Sequence, residues 1–118
     1  IMSMETDLVV LLKTICQRVF PDVAPAGTAT PYITYQAIGG EAMRYGDGAA
    51  PDKRNTLMQV NVWAKTRSEA LTLIRQADDA ISAASNWQSE PQGEAVSTYE
   101  PDTQLYGSMQ TFDIWATR

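Results

Sequence analysis

Apolar and polar positions alternate most clearly from Thr56 to Ala64, TLMQVNVWA, where Met58, Val60, Val62 and Ala64 fall on one face and Leu57, Gln59, Asn61 and Trp63 on the other. A period of two marks a half-buried strand. The period then changes. Thr66 stands three residues before Glu69, a spacing at which the two side chains can satisfy each other's free backbone N–H groups at a helix start. Ala70, Leu71, Ile74, Ala77, Ile81 and Ala84 recur at three- and four-residue steps, with Glu69, Arg75, Gln76, Asp79 and Ser82 largely opposite. Strand and helix are expected to share one apolar layer.

Ser3 is expected to cap a first helix with Glu5 and Asp7 in its opening turn. Leu8, Leu11, Leu12, Ile15 and Val19 form its apolar stripe, and Pro21 ends it. From Pro21 to Pro31 the prolines, glycine and small residues suit an extended surface connection. A first strand follows from Tyr32 to Ile38, with Ile33, Tyr35 and Ala37 on one face and Tyr32, Thr34 and Gln36 on the other. Gly39 to Lys53 holds four of the seven glycines. It reads as a long loop, and loops of this length are generally functional or disordered. Asn86 to Gly93 is a second irregular stretch in which Trp87 tucks under the helix end. Ala95 to Tyr99 is a short strand. Tyr106 to Thr117 is the last strand, with Phe112, Ile114 and Ala116 alternating with Thr111, Asp113 and Trp115.

This order predicts an α+β fold, αββαββ: a four-stranded, wholly antiparallel sheet of order 3-4-2-1 with both helices on one face, a permuted ferredoxin-like arrangement. The other sheet face is left bare. It carries Thr34, Gln36, Gln59, Asn61, Trp63, Thr111, Asp113 and Trp115, with the two tryptophans on adjacent central strands. As a cross-strand pair they would add ~0.2–1 kcal/mol to the sheet. Burial by a protein partner is the stronger reading, because two exposed tryptophans on one face are costly in solution.

Composition narrows the classes. A chain of 118 residues, 44% of them apolar, makes one domain from Met2 to Arg118, with Ile1 taken as a remnant ahead of the start at Met2. The single cysteine, Cys16, has no internal disulfide partner and falls in the first helix as a buried small residue, which suits a reducing cytoplasm. No segment approaches the ~18 apolar residues of a membrane span, and acidic Glu5 and Asp7 stand where a secretory signal is basic. A soluble protein, not exported by that route, is expected. The formal net charge of −5 argues against a surface that grips DNA, though not against one that DNA passes.

Little points to catalysis. The absence of histidine removes the usual general base, the usual activation of Ser or Cys, and most transition-metal sites. Asp78 and Asp79 are adjacent on a helix and diverge. Gly46-Asp47-Gly48 lacks the further acidic positions of a calcium loop, and Gly39-Gly40 the pattern that follows in a phosphate-binding loop. Turn chemistry accounts for both. Arg44, Lys53 and Arg54 form a small basic group near the long loop, read as surface charge first and as contact with an acidic partner second. No cofactor and no metal is expected.

The opening METDLVVLL, the VFPDVAPAGT and PYITYQ passages, the PDKRN and QVNVWA segments and the closing FDIWA, in that order, resemble a family of small phage and prophage tail-completion proteins. These are similar in fold to the tail terminators of long-tailed phages. The resemblance runs from about Met4 to Ala116, and its motifs are structural. It implies a ring, usually a hexamer, that caps the tail tube, stops its growth and prepares head–tail joining. The implied partners are further copies of the chain, the tail tube protein and head–tail connector proteins. DNA would pass without specific binding, and no membrane is involved. The implied setting is the virion tail, after assembly in the host bacterial cytoplasm. No catalytic residue carries over. On this implication Trp63, Trp115, Asn61, Asp113, Gln59 and Thr111 are candidate subunit-interface residues, and Met43, Arg44, Tyr45, Asp47, Lys53 and Arg54 a candidate tube-docking loop. Negative charge would suit a lumen that DNA must pass without sticking. Two other classes compete: a small ligand-binding or regulatory α+β domain, and an enzyme using Tyr35, Tyr45 or Asp113, which nothing in the spacing supports.

Overall fold

Both helices begin where a hydroxyl can cap them. In the computed structural model, which describes residues 3–42, 46, 48 and 52–117, Ser3 Oγ accepts the Thr6 N–H at 3.1 Å ahead of α1 (Met4–Lys13). Thr66 Oγ1 accepts the Glu69 N–H at 3.2 Å ahead of α2 (Arg67–Ala83). The first helix is shorter than its apolar stripe. Thr14 Oγ1 bonds back to the Leu11 carbonyl, and the Ile15 and Cys16 N–H groups both return to Leu12, so the chain tightens into a turn. Cys16 and Val19 are buried but lie outside the helix. Val19 instead opens β1 (Val19–Pro21), which gains a strand partner that local helix propensity does not offer.

The sheet has six strands where four were expected. β2 (Tyr32–Gly39), β3 (Lys53–Ala64) and β6 (Leu105–Thr117) form its middle in antiparallel pairing, with β1 beside β2. β4 (Trp87–Pro91) and β5 (Val96–Glu100) lie one after the other along the outer side of β6. Two expectations need correction. β1 runs parallel to β2, pairing Val19 with Ile33 and Pro21 with Tyr35, so the sheet is mixed and not wholly antiparallel. Asn86–Gly93 is not simply irregular, since Trp87–Pro91 is a strand. The order 3-4-2-1 therefore describes only part of the sheet, and the permuted ferredoxin-like description does not cover β1 and β4.

One face of this sheet makes the core. Ile33, Tyr35, Met58, Val60, Val62, Phe112 and Ile114 meet Leu8 and Leu12 of α1 and Ala70, Ile74, Ala77 and Ile81 of α2 in one buried cluster. Each large side chain so buried contributes about 1.5–3 kcal/mol relative to exposure. Trp87 lies under the end of α2, its Nε1 donating to the Ile81 carbonyl at 3.2 Å, and Ser89 Oγ donates to the same carbonyl at 3.1 Å. The molecule is elongated, 51 × 26 × 25 Å along its principal axes. Among the described residues no helix is long and apolar enough to cross a membrane.

Candidate functional site

Residues directly opposite in neighbouring strands share a face, so the register defines the surface away from the helices. Thr34 stands opposite Asn61, and Asn61 opposite Met109. Gln36, Gln59 and Thr111 form the next row, and Leu57 with Asp113 the row after that. Tyr32, Trp63 and Gly107 lie toward one end, and Asn55 with Trp115 toward the other. All six residues considered for an interface, Gln59, Asn61, Trp63, Thr111, Asp113 and Trp115, are thus on one face, each half-buried.

The two tryptophans are not neighbours. Trp63 pairs with Gly107 and Trp115 with Asn55, eight positions apart along β3, a separation of roughly 27 Å at the usual rise of a strand. Alternation identifies a face but not a level along it. Trp63 is also partly packed. A Cβ on Gly107 would come within 2.8 Å of both the Trp63 ring and Thr98 Cγ2, so the indole occupies space that only glycine leaves open.

Nor is this face uniformly bare. Asp22, in the left-handed region at φ 61°, turns the chain off β1. The segment 22–30 then overhangs the Trp63 end and encloses a cleft of about 850 Å³. Its floor includes Thr34, Gln59, Asn61 and Met109, and Glu100, Thr103 and Leu105 line it from the β5–β6 turn. Asn61 Nδ2 donates to Thr34 Oγ1 at 3.5 Å, and Asn61 Oδ1 is buried without a partner. The Tyr32 phenol is pushed above its ordinary value, first by burial and then by the Glu100 carboxylate. At the opposite end Asn55, itself buried, donates to the Asp113 carboxylate and the Ile114 carbonyl and accepts the Glu41 N–H at 2.8 Å. Gly40 crosses so close to β3 that a Cβ would lie 2.6 Å from the Asn55 carbonyl oxygen.

The basic group suggested by sequence does not assemble from its described members. Lys53 and Arg54 belong to β3, opposite Thr117 and Ala116, and as consecutive strand residues they point to opposite faces. Met43, Arg44, Tyr45 and Asp47 lie outside the described residues. Tyr35 is buried on the helix-bearing face and Asp113 lies on the other, so they do not converge, and Tyr45 is outside the described residues. No group of potential metal ligands occurs among the described residues. Met109 could have been found by carrying the alternation of Thr111 and Asp113 one step back. The overhang and Asn55 had no such signal.

Rows of amides and hydroxyls on a broad sheet, with a half-buried tryptophan toward each end and both helices packed on the other side, define a small α+β protein. The chain belongs to the tail completion protein gp17 family, whose model matches residues 6–117. It is accordingly a phage tail-completion protein, of the virion tail. No curated protein matches it.

Proposed function

We propose that this chain is a tail terminator, a structural subunit without enzymatic activity whose copies close into a ring, six in the usual arrangement, on the end of the tail tube. The ring stops tube growth and presents a surface for head–tail joining, with tube protein and connector proteins as neighbours. Residues 2–118 act as one domain, assembled in the host cytoplasm. The observation that carries the reading is the family match across nearly the whole chain.

The open face is the proposed contact surface. Trp63 and Trp115 offer area that a partner can bury, and Gln59, Asn61, Thr111 and Asp113 offer hydrogen bonds between them. Met43, Arg44, Tyr45 and Asp47, with Lys53 and Arg54 at the adjoining strand start, are proposed as the tube-docking region. The net charge of −5 fits a lumen that repels the DNA backbone.

The test is absolute mass by light scattering across concentration, with and without purified tail tubes of the parent phage. A ring-sized mass, or capture on tube ends, supports the reading. A chain that ignores the tubes and never reaches ring mass overturns it. The weight then moves to a ligand-binding domain, which the cleft beneath residues 22–30 specifically favours.

A further inference from the structure

The amides of the open face are used unequally. Asn61 Nδ2 reaches Thr34 Oγ1 only at 3.5 Å and its Oδ1 has no partner, while Gln59 Nε2 meets the Met109 thioether at 3.8 Å. Asn55 differs. It faces the same way, opposite Trp115, yet is only 8% exposed, because the chain leaving β2 closes against it. Gly40 makes that approach possible at φ 136°, where a Cβ would lie 2.6 Å from the Asn55 carbonyl oxygen and 3.1 Å from Thr56 Cα. Asn55 Oδ1 then accepts the Glu41 N–H at 2.8 Å, and Nδ2 donates to the Asp113 carboxylate and, at 3.3 Å, to the Ile114 carbonyl. One planar group therefore fixes the crossing at residues 40–42 against β6. A carboxylate has no donor for this and an aliphatic side chain has neither partner to offer. Trp115 and Asp113 lie beside it, flanked by Gln88 and Glu90 of β4, and Lys53 with Thr117 forms the next row.

We propose that Asn55 is a positioning residue for contact with the tail tube at the Trp115 end, holding the crossing at residues 40–42 and the Asp113–Trp115 stretch of β6 as one surface. This role rests on the tail-terminator reading and adds to it which residue orders the contact. Asn55 is buried and offers a partner nothing directly; it acts through the Glu41 backbone and the Asp113 carboxylate. Its effect is preorganisation. A crossing already fixed against β6 does not have to be ordered when the tube binds, and that ordering would otherwise be subtracted from the affinity. Trp63, eight positions away along β3, lies outside the reach of this link.

Exchanging donor and acceptor tests the link. Asn55→Asp keeps an acceptor for the Glu41 N–H but removes the donor and sets a carboxylate against Asp113. Adding Asp113→Asn restores the pair with its roles reversed. Capture on tail tubes of the parent phage is measured well below the thermal midpoint of each variant, where all are folded and a purely stabilising role has no effect on capture. Asn55→Asp should weaken capture about tenfold, and the double variant should recover most of that loss. Gly40→Ala, which pushes the crossing off β3 and leaves the amide in place, should weaken capture as well and serves if Asn55→Asp does not fold. In the free chain, Asn55→Ala should quicken exchange of the Glu41 N–H while the β6 amides stay slow. Capture of Asn55→Asp equal to that of the unaltered chain overturns the proposal and leaves the tail-terminator reading standing, as does a double variant as weak as the single one. Glu41 exchange that is already fast in the unaltered chain overturns it too. An unaltered chain that the tubes never capture overturns the tail-terminator reading, and this role with it.

Discussion

At Gly107 the absence of a side chain decides the geometry of its surroundings. The Trp63 ring and Thr98 both occupy the space a Cβ would need, each at 2.8 Å. Gly107→Ala should therefore cost about 1–3 kcal/mol by overpacking, seen as a lower urea midpoint with a shift in tryptophan emission. Shrinking the neighbour with Thr98→Ser should recover part of the loss; no change in either variant would mean that the indole yields freely. Tyr35 makes a different kind of prediction. Burial, then the Glu5 carboxylate and a hydrogen bond to it, then Asp22, hold its phenol above the ordinary value of 10.0. The folded chain thus holds that proton more tightly than the unfolded one. The stabilisation is complete below pH 10.0 and is lost as pH rises through the folded value. In Tyr35→Phe the alkaline fall in unfolding free energy should be shallower, and an unchanged slope would exclude Tyr35 as its source. An isolated glycine in a strand already signals close approach, but nothing in the sequence says which ring approaches it.

Elements divide according to how far their pattern runs unaided. β3, α2 and β6 were legible because periods of two and of three to four persist across many residues, enough to assign the faces of Met58, Ile74 and Phe112. β1 and β4 were not. Three residues ending in proline, and five from a run rich in Asn, Ser, Pro and Gln, take strand form only because β2 and β6 supply partners from elsewhere in the chain. The same limit separates face from register: alternation put Trp63 and Trp115 on one side, and only the pairing with β6 shows how far apart they lie. β4 also fixes the end of α2, since Trp87 and Ser89 both donate to the Ile81 carbonyl. Trp87→Phe keeps the apolar bulk and removes one donor, so stability should fall by about 0.5–1.5 kcal/mol. Amide exchange should quicken in the last turn of α2 and stay slow in β3 and β6. Uniform acceleration would instead mean that β4 holds the whole fold and not the helix end.

For the molecule as a whole, the open face is long, and its two ends are built differently. Trp63 sits toward the overhung end, packed on Gly107, so its replacement disturbs the fold and any contact together. Trp115, half-buried opposite Asn55 and Gln88, is the cleaner probe. Under the tail-terminator reading Trp115→Ser should leave the thermal midpoint nearly unchanged and weaken capture on tail tubes. If the contact uses the middle of the face as well, its chemistry predicts the salt response. Thr34, Gln36, Gln59, Asn61 and Thr111 are uncharged, and nearby Asp113 is already engaged by Asn55. Capture should therefore change little with ionic strength, because screening acts on charge pairs and not on buried aromatic area or neutral hydrogen bonds. Capture that collapses in high salt, with Trp115→Ser binding as well as the unaltered chain, would move the contact off this face and onto the charged strand ends around Lys53 and Arg54.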